Sequence, residues 1–342
     1  MKEKVLSIII PTYNMENYIS KCLDSLLIPS IDLLDILVIN DGSKDKSSEI
    51  AHSYEKKYPG SIRVIDKENG HYGSCINRGL QEAMGKYIKI LDADDTFATS
   101  NLEKFVKTII PMNVDCIITE YNLVASNGNI INSRKPIKIK PYHIYNINNL
   151  PKKFLTSYQM HGLTYRTNLL LQNKYVQTEG IAFTDNEWTF LPLAWCKTFI
   201  FLPFIIYNYL IGREGQTIDP KLRTKTFPQS LILLQSLLDK YYNSFLNPIQ
   251  DDILRRKVVK TIKTLYIRGL KGPQEMKEQL RDFDKSHRTI YEHKKIDPAK
   301  IFSISLLGLS PIKQWRSLNY PLKYTISNFW ILWDKINKKI FK

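Results

Sequence analysis

Three aspartates follow an apolar run of the chain within four positions. The run covers residues 87–91 and has the composition of a buried strand, and the acids are Asp92, Asp94 and Asp95. Two ionised carboxylates about 6 Å apart repel by roughly 3 kcal/mol at an effective dielectric constant near 20. A hard divalent cation, Mn²⁺ or Mg²⁺, removes that repulsion and keeps positions open for phosphate oxygens. The alternative is that Asp94 or Asp95 caps the helix that follows.

Polar residues also end the apolar runs that come earlier in the chain. Asp41 stands in the sequence NDGS, where the glycine allows a tight turn and the carboxylate can accept a hydrogen bond from a nucleobase N–H; a plain turn is the alternative. Pro11, Thr12 and Tyr13 offer main-chain groups and an aromatic face to a flat base. With a metal ion, these groups describe a pocket for a nucleoside diphosphate. The further donor-binding candidates are Asn14, Lys67, Asn69 and Ala93.

Alternating strands and helices in the first 120 residues are needed to bring these groups together. The apolar patterns predict strands over 5–10, 36–39, 62–65, 87–91 and 114–119, and helices over 16–27, 46–58, 74–83 and 101–109, the second capped by Ser43. Continuous apolar strands separated by helices predict an α/β fold with a mostly parallel central sheet and helices on both faces. In such sheets the ligand binds at the carboxyl ends of the strands, where the polar residues gather.

The rest of the chain differs in pattern from this α/β part. Residues 122–151 are polar and predict a connection with a hairpin, followed by helices over 148–158 and 166–172, a helix starting near Asp185 and a strand over 199–209. Beyond residue 227 the pattern is helical. We therefore predict a catalytic domain over 1–218, with a nucleotide-binding part (1–121) and an acceptor part (122–218), and a helical region over 219–342.

The positive charge belongs to the later part of the chain. Residues 1–130 hold 14 Lys and Arg against 18 Asp and Glu, a net charge of −4, whereas the remainder holds 35 against 15, a net charge of +20. Such a surface suits anionic lipid, a pyrophosphate-bearing acceptor or nucleic acid. Nucleic acid is not expected, because the basic residues are not interleaved with aromatic residues in a recognised pattern and the acidic edge repels phosphate.

The end of the chain combines tryptophans with lysines. Two readings are open: a helix lying on an anionic membrane surface, or a helix packing its aromatic side chains on the protein. The residues concerned are Trp315, Trp330, Trp333, Lys335, Lys338, Lys339 and Lys342.

The cellular location is predicted from the cysteines and the apolar runs. The four cysteines are widely spaced, as in reduced cytoplasmic proteins. No secretory signal is predicted, and the longest apolar stretch, residues 199–211, is shorter than the roughly 20 residues of a membrane span. We expect a cytoplasmic protein that associates peripherally with the inner face of the cell membrane.

Four segments in order resemble the signatures of family-2 glycosyltransferases, which have the GT-A nucleotide-binding fold. They are LSIIIPTYN, ILVINDGSKDKS, NGHYGSCINRGLQEAMGKYIKILDADD and FTDNEW, and the resemblance covers roughly residues 4–215. It implies that Pro11, Thr12 and Tyr13 hold the base of a nucleotide-sugar together with Asp41.

The resemblance also implies roles for the acidic residues. Asp92 and Asp94 match the D-x-D signature, whose first aspartate reaches the ribose or the metal and whose second binds the metal that bridges the two phosphates. Asp95 is expected to support them. Asp185 matches the catalytic base of the family; because relatives often have Glu-Asp there and this chain has Thr-Asp, Glu187 is the alternative.

One departure from the family concerns the phosphates. Many relatives carry an arginine where this chain has Ile76, so Lys67, Arg78 or Arg213 is expected to supply that charge. Arg213 lies in the sequence GREGQT, residues 212–217, which is either a lid hinged at its two glycines or an ordinary loop. For the sugar or acceptor we assign His71, Tyr72, Glu187 and His161, although a lone histidine such as His161 is often structural.

The sequence therefore predicts a metal-dependent, inverting glycosyltransferase. Its donor is a nucleotide-sugar, with UDP the favoured nucleotide, and its acceptor is a hydroxyl of a saccharide or lipid-linked molecule in cell-surface polysaccharide synthesis. A carboxylate base and a cation would serve the attacking hydroxyl and the leaving diphosphate. The alternatives are a sugar-phosphate nucleotidyltransferase, whose glycine-rich basic loop after the first strand is missing here, and a non-catalytic nucleotide- or anion-binding protein.

Overall fold

A computed structural model describes most of the chain. The described residues are 3–136, 139–151, 154, 158–182, 184–213, 224–303 and 310–321. Two compact units divide the chain, Met1–Gln216 and Thr217–Lys342. The first unit is α/β and the second is helical.

The described part of the first unit contains one ten-stranded sheet. Its strands are β1 (Leu6–Thr12), β2 (Leu34–Asn40), β3 (Ile62–Asp66), β4 (Tyr87–Ile90), β5 (Thr96–Phe97), β6 (Cys116–Ala125), β7 (Ile130–Arg134), β8 (Ile144–Asn146), β9 (Leu163–Arg166) and β10 (Thr198–Ile211). Across the sheet the order is β3-β2-β1-β4-β9-β6-β10-β5, with β7 paired to β6 and β8 paired to β10.

The first four long strands form the predicted parallel core. Ile8 of β1 lies opposite Ile36 of β2 on one side and Lys89 of β4 on the other. All seven residues of β2 are buried, because both faces of this part of the sheet are covered. This accounts for the continuous apolar runs in the sequence. The predicted α/β fold with helices around a mostly parallel sheet is confirmed.

The middle of the sheet differs from the prediction. Strand β9 is inserted between β4 and β6 and runs antiparallel to both. Strand β6 continues to Ala125, beyond the predicted end at residue 119, because it forms an antiparallel hairpin with β7. Pairing with β7 on one side and with the distant β10 on the other outweighed the polar character of the strand end.

The helices of the first unit follow the predicted order. They are α1 (Ile19–Asp24), α2 (Ser47–Lys57), α3 (His71–Glu82), α4 (Thr99–Ile109), α5 (Thr167–Gln172), α6 (Asp185–Trp188) and α7 (Leu191–Trp195). The inner face of α4 is formed by Leu102, Phe105, Val106 and Ile109, which recur at the helical spacing of three to four residues and are buried. The helix predicted over 148–158 lies largely outside the described residues.

The prediction that Ser43 caps α2 was wrong. The residue before the helix is Lys46, and no side chain caps the helix start. Ser43 Oγ accepts instead from the main-chain N–H of Asn14 at 3.0 Å, while the Asp45 carboxylate accepts from the N–H of Ser47 at 3.0 Å. Ser43 thus ties together the segments that follow β1 and β2.

The second unit consists of helices in its described part. They are α8 (Phe227–Tyr242), α9 (Pro248–Lys271), α10 (Gln274–Ser286), α11 (Arg288–His293), α12 (Pro298–Ile301) and α13 (Pro311–Ser317). Helix α9 begins with a capping box in which Asn247 and Gln250 exchange hydrogen bonds. Within the described residues, none of the helices combines the length and apolar character needed to cross a membrane.

The core of the second unit surrounds a buried carboxylate. Asp284 accepts from both Nε and Nη2 of Arg316 at 2.8 Å and from the hydroxyl of Tyr320 at 2.9 Å. Trp315 is also buried and packs against the ring of Tyr320. For Trp315 this agrees with the packing alternative. The other residues of the terminal cluster, Trp330, Trp333, Lys335, Lys338, Lys339 and Lys342, lie outside the described residues.

Candidate active site

The carboxyl ends of the parallel strands place the predicted polar residues along one edge of the sheet. Thr12, at the end of β1, lies opposite Asn40 of β2, which lies opposite Asp66 of β3. Asp41 follows β2 directly, and its main-chain N–H donates to the carbonyl of Thr12 at 2.8 Å. The ends of adjacent strands are therefore held in register where the site is expected.

Asp41 is buried at the centre of a set of hydrogen bonds. Its Oδ1 accepts from Lys67 Nζ at 2.6 Å and from the N–H of Gly70 at 3.0 Å. Asn69 donates from Nδ2 to the Asp41 carbonyl at 2.9 Å. The Cys75 thiol also forms a hydrogen bond with the Asp41 carboxylate. Each carboxylate oxygen has two lone pairs, so Asp41 keeps acceptor capacity for a ligand N–H.

The predicted phosphate ligand Lys67 is already engaged by the protein. In addition to Asp41, its ammonium donates to the carbonyl of Glu68 at 2.5 Å and to Ser74 Oγ at 2.9 Å. These three acceptors use all three donors of the ammonium group. A second candidate, Arg78, forms an ion pair with Glu82 on the outer surface of α3. Neither arrangement leaves a cation directed at a diphosphate.

The segment after β1 combines exposure with an unusual backbone. Tyr13 is exposed, and Asn14 has a φ of 54°, in the left-handed region that asparagine tolerates better than most residues. Asn14 Oδ1 accepts from the N–H of Lys44 at 2.8 Å. The ring of Tyr13 is thus exposed to solvent, on a segment that hydrogen bonds between Asn14 and the residues after β2 hold in place. Thr12 is buried, so only its main chain is available to a ligand, and the predicted role of Pro11 and Thr12 stays a prediction.

The three aspartates after β4 each have a different partner. Asp92 Oδ1 accepts from the hydroxyl of Tyr72 at 2.8 Å, and Asp94 Oδ2 accepts from Arg213 Nε at 2.8 Å. The buried Asp95 accepts from the hydroxyl of Tyr207 and from the N–H of Leu210, both at 2.6 Å. None of the three caps α4, whose preceding residue is Ala98 and whose start has no side-chain cap. The capping alternative is therefore excluded. Ala93 between them is buried, so it can reach a ligand only through its backbone.

His161 lies beside these carboxylates. A nitrogen of its ring and one oxygen each of Asp92 and Asp95 all lie within 4.8 Å of one another. The ring stacks on Tyr209 at 4.3 Å between centroids, and its buried Nδ1 has no hydrogen-bond partner in the described structure. A buried histidine that has an unpaired ring nitrogen and lies beside two carboxylates fits a cation site better than a purely structural role, in which both nitrogens would be paired.

The cluster carries an electrostatic cost. Burial raises the pKa of Asp92 to about 7, with smaller contributions from the negative charges of Asp94 and Asp185. Burial likewise raises the pKa of Asp95 well above its ordinary value, with Asp92 and Asp94 adding to the shift. Burial lowers the pKa of His161 to about 3, so that the imidazole is neutral and can act as a ligand. A bound divalent cation would reverse the raised pKa values of Asp92 and Asp95. The lowered pKa of His161 keeps its imidazole in the neutral form that binds metal.

Asp185, the predicted base, opens the short helix α6 and is close enough to Asp92 to raise the pKa of Asp92. Desolvation raises the pKa of Asp185 itself to about 6, although the residue as a whole reaches solvent. The exposed side of the residue keeps part of its hydration, which opposes the rise in pKa. A carboxylate with these properties can hold or accept a proton near neutral pH.

Glu187, the alternative base, has a different environment. It is buried, and its two oxygens accept from the main-chain N–H and the hydroxyl of Thr178 at 2.6 and 2.8 Å. These bonds hold the segment after α5 against α6. Glu187 therefore has less freedom than Asp185 to meet an acceptor hydroxyl.

The start of α3 brings the two remaining predicted residues to the site. His71 is exposed and has a φ of 65°, a strained conformation for this residue type. Tyr72 is next to it and reaches both Asp92 and, at 3.6 Å, the sulfur of Met160. Tyr72 thus contacts the acidic cluster, and His71 beside it is open to solvent.

Arg213 is the remaining predicted cation. In addition to its bond to Asp94, its guanidinium lies over the ring of Tyr18, 5.3 Å from the centroid. Gly212 before it has a φ of 92°, as a glycine hinge would. The other proposed hinge, Gly215, and the rest of the GREGQT segment lie outside the described residues, so the choice between a lid and an ordinary loop stays open.

Two residues of the site were missed by sequence reasoning. Tyr207 of β10 donates to Asp95 and accepts from the N–H of Asp92 at 3.2 Å, so it links the cluster to the sheet. Lys89 of β4 is fully buried and donates to the carbonyls of His161 at 2.6 Å and Leu163 at 3.1 Å. The signal available for Lys89 was a lysine inside an otherwise apolar strand.

Comparison with known proteins identifies one family. The sequence profile of glycosyl transferase family 2 matches residues 7–175. An uncharacterized glycosyltransferase of Rickettsia felis is 35% identical over 181 residues, which are 52% of this chain and 28% of that protein. The uncharacterized glycosyltransferase EpsJ of Bacillus subtilis is 36% identical over 113 residues, 33% of each chain. The chain thus spans about a third or less of the length of these relatives.

Solved structures share the fold at low identity. Residues 1–349 of Staphylococcus aureus TarS in complex with UDP-GlcNAc give a TM-score of 0.67 at 19% identity, covering 92% of this chain and 88% of that one. The mannosyltransferase PcManGT of Pyrobaculum calidifontis in complex with GDP-Man and Mn²⁺ gives a TM-score of 0.50 at 14% identity, covering 87% and 85%. At these identities the likeness establishes the GT-A fold alone.

Proposed function

Because residues 7–175 belong to glycosyl transferase family 2, we propose that this chain transfers a sugar from a nucleotide-sugar to an acceptor hydroxyl. The observation that carries the proposal is the position of Asp185 beside the Asp92 cluster, at the same sheet edge as Asp41. In this arrangement Asp41 would bind the nucleobase, the Asp92 cluster would lie at the diphosphate and Asp185 would accept a proton. The family assignment also favours this reaction over nucleotidyl transfer.

The donor is proposed to lie along the ends of β1, β2 and β4. The Asp41 carboxylate would accept from a base N–H, while Tyr13 would cover the face of the base. UDP is the favoured nucleotide, in line with the UDP-GlcNAc complex of TarS, whereas PcManGT binds GDP-Man. Arg213 would supply the positive charge for the diphosphate, because its partner Asp94 is itself a proposed metal ligand, whereas Lys67 and Arg78 are paired with Asp41 and Glu82, which are not.

A divalent cation, Mn²⁺ or Mg²⁺, fits the acidic cluster. Asp92 and Asp94 would hold it, as the D-x-D signature implies, and His161 adds a neutral nitrogen beside Asp92. Both oxygens of Asp95 accept hydrogen bonds, from Tyr207 and from Leu210. Asp95 would therefore chiefly add negative charge beside the cation and hold the cluster against β10. When bound, such an ion neutralises the charge that builds on a departing diphosphate. PcManGT, which has the same fold, is a complex with Mn²⁺.

The protein's own part in the reaction is proton transfer and positioning. Asp185 would accept the proton of the attacking hydroxyl, a contribution of roughly 10²- to 10⁴-fold. One base and one attacking hydroxyl suffice for a single displacement with inversion at the anomeric carbon. His71 and Tyr72 would contact the sugar or the acceptor. The acceptor is proposed to be a saccharide or a lipid-linked molecule of cell-surface polysaccharide synthesis, and the protein to act at the inner face of the membrane.

Two measurements on the full chain test this proposal. Thermal shift with UDP, GDP and CDP, each with and without Mn²⁺, should give a rise in melting temperature that needs both the metal and one nucleotide. A ligand at 100 times its Kd stabilises by about 2.7 kcal/mol, which such an assay resolves. Indifference to every combination would contradict donor binding.

The second measurement is sugar transfer by an Asp185→Asn variant. It should bind the nucleotide as the wild type does and lose at least about a hundredfold in transfer, since only the proton acceptor is removed. The matched control is Glu179→Gln, which changes an exposed carboxylate that accepts from Asn77 of α3 and should keep full turnover. Full turnover by Asp185→Asn would show that another group is the base.

A further inference from the structure

Helix α9 of the second unit has an uneven charge distribution. Its only acidic residues are Asp251, in the first turn, and Asp252, directly after it. The following 19 residues, 253–271, contain seven Lys or Arg and no acid. A helix of this kind carries a strong positive potential over several turns on whichever face the cations share.

The cations are concentrated on the open face of α9. The opposite face is apolar and packed, with Leu254, Val258 and Ile262 fully buried. Of the seven basic residues, Arg268 is directed to the protein, where it donates to Ser230 and Thr226 and lies over the ring of Phe227. Arg255, Arg256 and Lys260 are exposed. Beyond Asp252, the exposed face is therefore basic.

A groove opens on this face with a volume of about 240 Å³. Its lining residues, which define it here, are Arg255, Arg256, Val259, Lys263 and Ile301. Val259 and Ile301 are partly exposed and form an apolar floor between the side chains of the three cations. Arg256 is held in place by an ion pair with Asp252 at 2.9 Å. The groove thus combines a cationic rim with an apolar floor.

We propose that this groove binds the headgroup of an anionic phospholipid and docks the second unit on a membrane surface. A lipid phosphate meets the cations of the rim, and the adjoining glycerol and first acyl carbons meet Val259 and Ile301. Basic side chains flanking apolar ones suit the boundary between headgroups and acyl chains. None of the lining residues is aromatic, so the stacking platform typical of single-stranded nucleic acid is not present in the groove. The proposal adds a defined surface to the membrane association suggested above and does not depend on sugar transfer.

Sedimentation with lipid vesicles tests this inference on the full chain. The wild type should bind vesicles of phosphatidylcholine mixed with phosphatidylglycerol and bind pure phosphatidylcholine weakly. Each basic side chain at an anionic surface contributes roughly fivefold to the partition coefficient, so the combined variant Arg255→Gln, Arg256→Gln, Lys263→Gln should lose roughly a hundredfold. Because these side chains are at the surface, circular dichroism should confirm an unchanged fold.

The matched control removes the same charge elsewhere. Lys56→Gln, Lys57→Gln, Lys104→Gln changes three exposed lysines of the first unit and should lose less than about threefold. A second pair of variants tests the apolar floor of the groove. Val259→Asp should weaken vesicle binding more than Ile232→Asp, which places the same charge at an exposed apolar position on α8. Equal losses in the two triple variants would show a general charge effect and overturn the proposal. So would vesicle binding by the groove variant at the wild-type level, or competition by soluble glycerol phosphate as effective as that by vesicles.

Discussion

The Asp92 carboxyl lies where its surroundings oppose its charge. Burial is the main cause of its raised pKa, and the neighbouring Asp94 and Asp185 add to it, while the hydrogen bond from Tyr72 acts in the opposite direction. A group kept in such a place costs stability unless a ligand compensates it, and residues of this kind concentrate at functional sites. The cost belongs to the metal-free protein and should disappear when a cation binds.

The first prediction at this scale concerns stability without metal. In chelator, an Asp92→Asn variant should be more stable than the wild type at about pH 8, by on the order of 2 kcal/mol. The carboxyl has a pKa of about 7 in the folded protein against 3.8 in the reference state. Its favourable contribution is therefore present at low pH and is lost as the pH rises through about 7. Urea unfolding at several pH values measures the difference.

The control for this prediction is Asp66, a carboxyl whose pKa is shifted in the opposite direction. Hydrogen bonds from Asn40, His52 and Ser48 hold the pKa of Asp66 below its ordinary value. An Asp66→Asn variant should therefore be less stable than the wild type above about pH 5. If Asp92→Asn were also less stable at pH 8, the carboxyl would not carry the proposed charge penalty.

The second prediction concerns the pH dependence of transfer. Asp185 must be ionised to accept a proton, and desolvation raises its pKa to about 6. The kcat of transfer should therefore fall about tenfold per pH unit below roughly 6 and level off above it. The Asp185→Asn variant should show residual activity without this acid limb. An unchanged acid limb in that variant would assign the titration to another group.

Residues that follow a strand were predictable, and residues brought in from distant segments were not. Asp41 and Asp92 could be assigned to one edge because each follows an apolar run in a parallel sheet. His161 is 69 positions after Asp92, and its approach depends on the antiparallel β9 and on the hydrogen bonds that Lys89 donates to carbonyls more than 70 positions along the chain. A lysine inside an apolar strand is visible in the sequence, but its distant hydrogen-bond partners are not. The predicted role of His161 was therefore left open between acceptor binding and structure.

At the scale of elements, the packing of α3 links the two sides of the site. His71 and Tyr72 begin this helix, and Gly73 follows them against the segment that leads to α6. A Cβ at Gly73 would lie 1.9 Å from the carbonyl oxygen of Thr178, so only glycine allows this approach. Thr178 in turn donates to Glu187 of α6. The position of Asp185 therefore depends on how closely α3 approaches this segment.

The third prediction follows from that contact. Gly73→Ala should destabilise the protein by about 1–3 kcal/mol, because the clash with backbone exceeds the gain of about 1 kcal/mol that alanine brings inside a helix. It should also lower kcat more than it raises KM, since Asp185 shifts while the Asp41 end stays in place. Chemical denaturation and steady-state kinetics measure the two effects.

The control for this prediction lies on the same helix. Arg78→Ala removes an exposed ion pair on the outer surface of α3 and should change stability by less than about 0.5 kcal/mol, with unchanged kinetics. Wild-type stability in Gly73→Ala would mean that the segment around Thr178 moves freely, and the coupling between α3 and α6 would have to be abandoned.

The long parallel strands could be predicted from the sequence, but the full strand order could not. The parallel strands were identified by their continuous apolar character, which burial on both faces requires. Strand β9 has only four residues, too few for a distinctive pattern, yet it separates β4 from β6. Helix α1 is likewise shorter than predicted, covering Ile19–Asp24 rather than residues 16–27, because the chain turns at both ends of it. Short elements are fixed by tertiary pairing rather than by local composition.

At the scale of the whole molecule, the acidic cluster and the basic groove lie in different units. The first unit carries the acidic edge of the site, and α9 of the second unit carries the basic groove. A cation-dependent donor site and a lipid-binding surface require these opposite signs, so the two proposals use different parts of the chain. The uneven charge was visible in the sequence, whereas its concentration on one face of α9 required the fold.

The central claim is that the acidic edge after β4 holds a divalent cation together with the diphosphate of a nucleotide. Anomalous diffraction at the manganese edge, from crystals of the full chain grown with Mn²⁺ and UDP, tests it most directly. We predict a manganese peak bound by Asp92 and by a diphosphate oxygen, with Asp94 released from Arg213. UDP bound at Asp41 with no ion beside Asp92, and with Asp94 still paired to Arg213, would contradict the account.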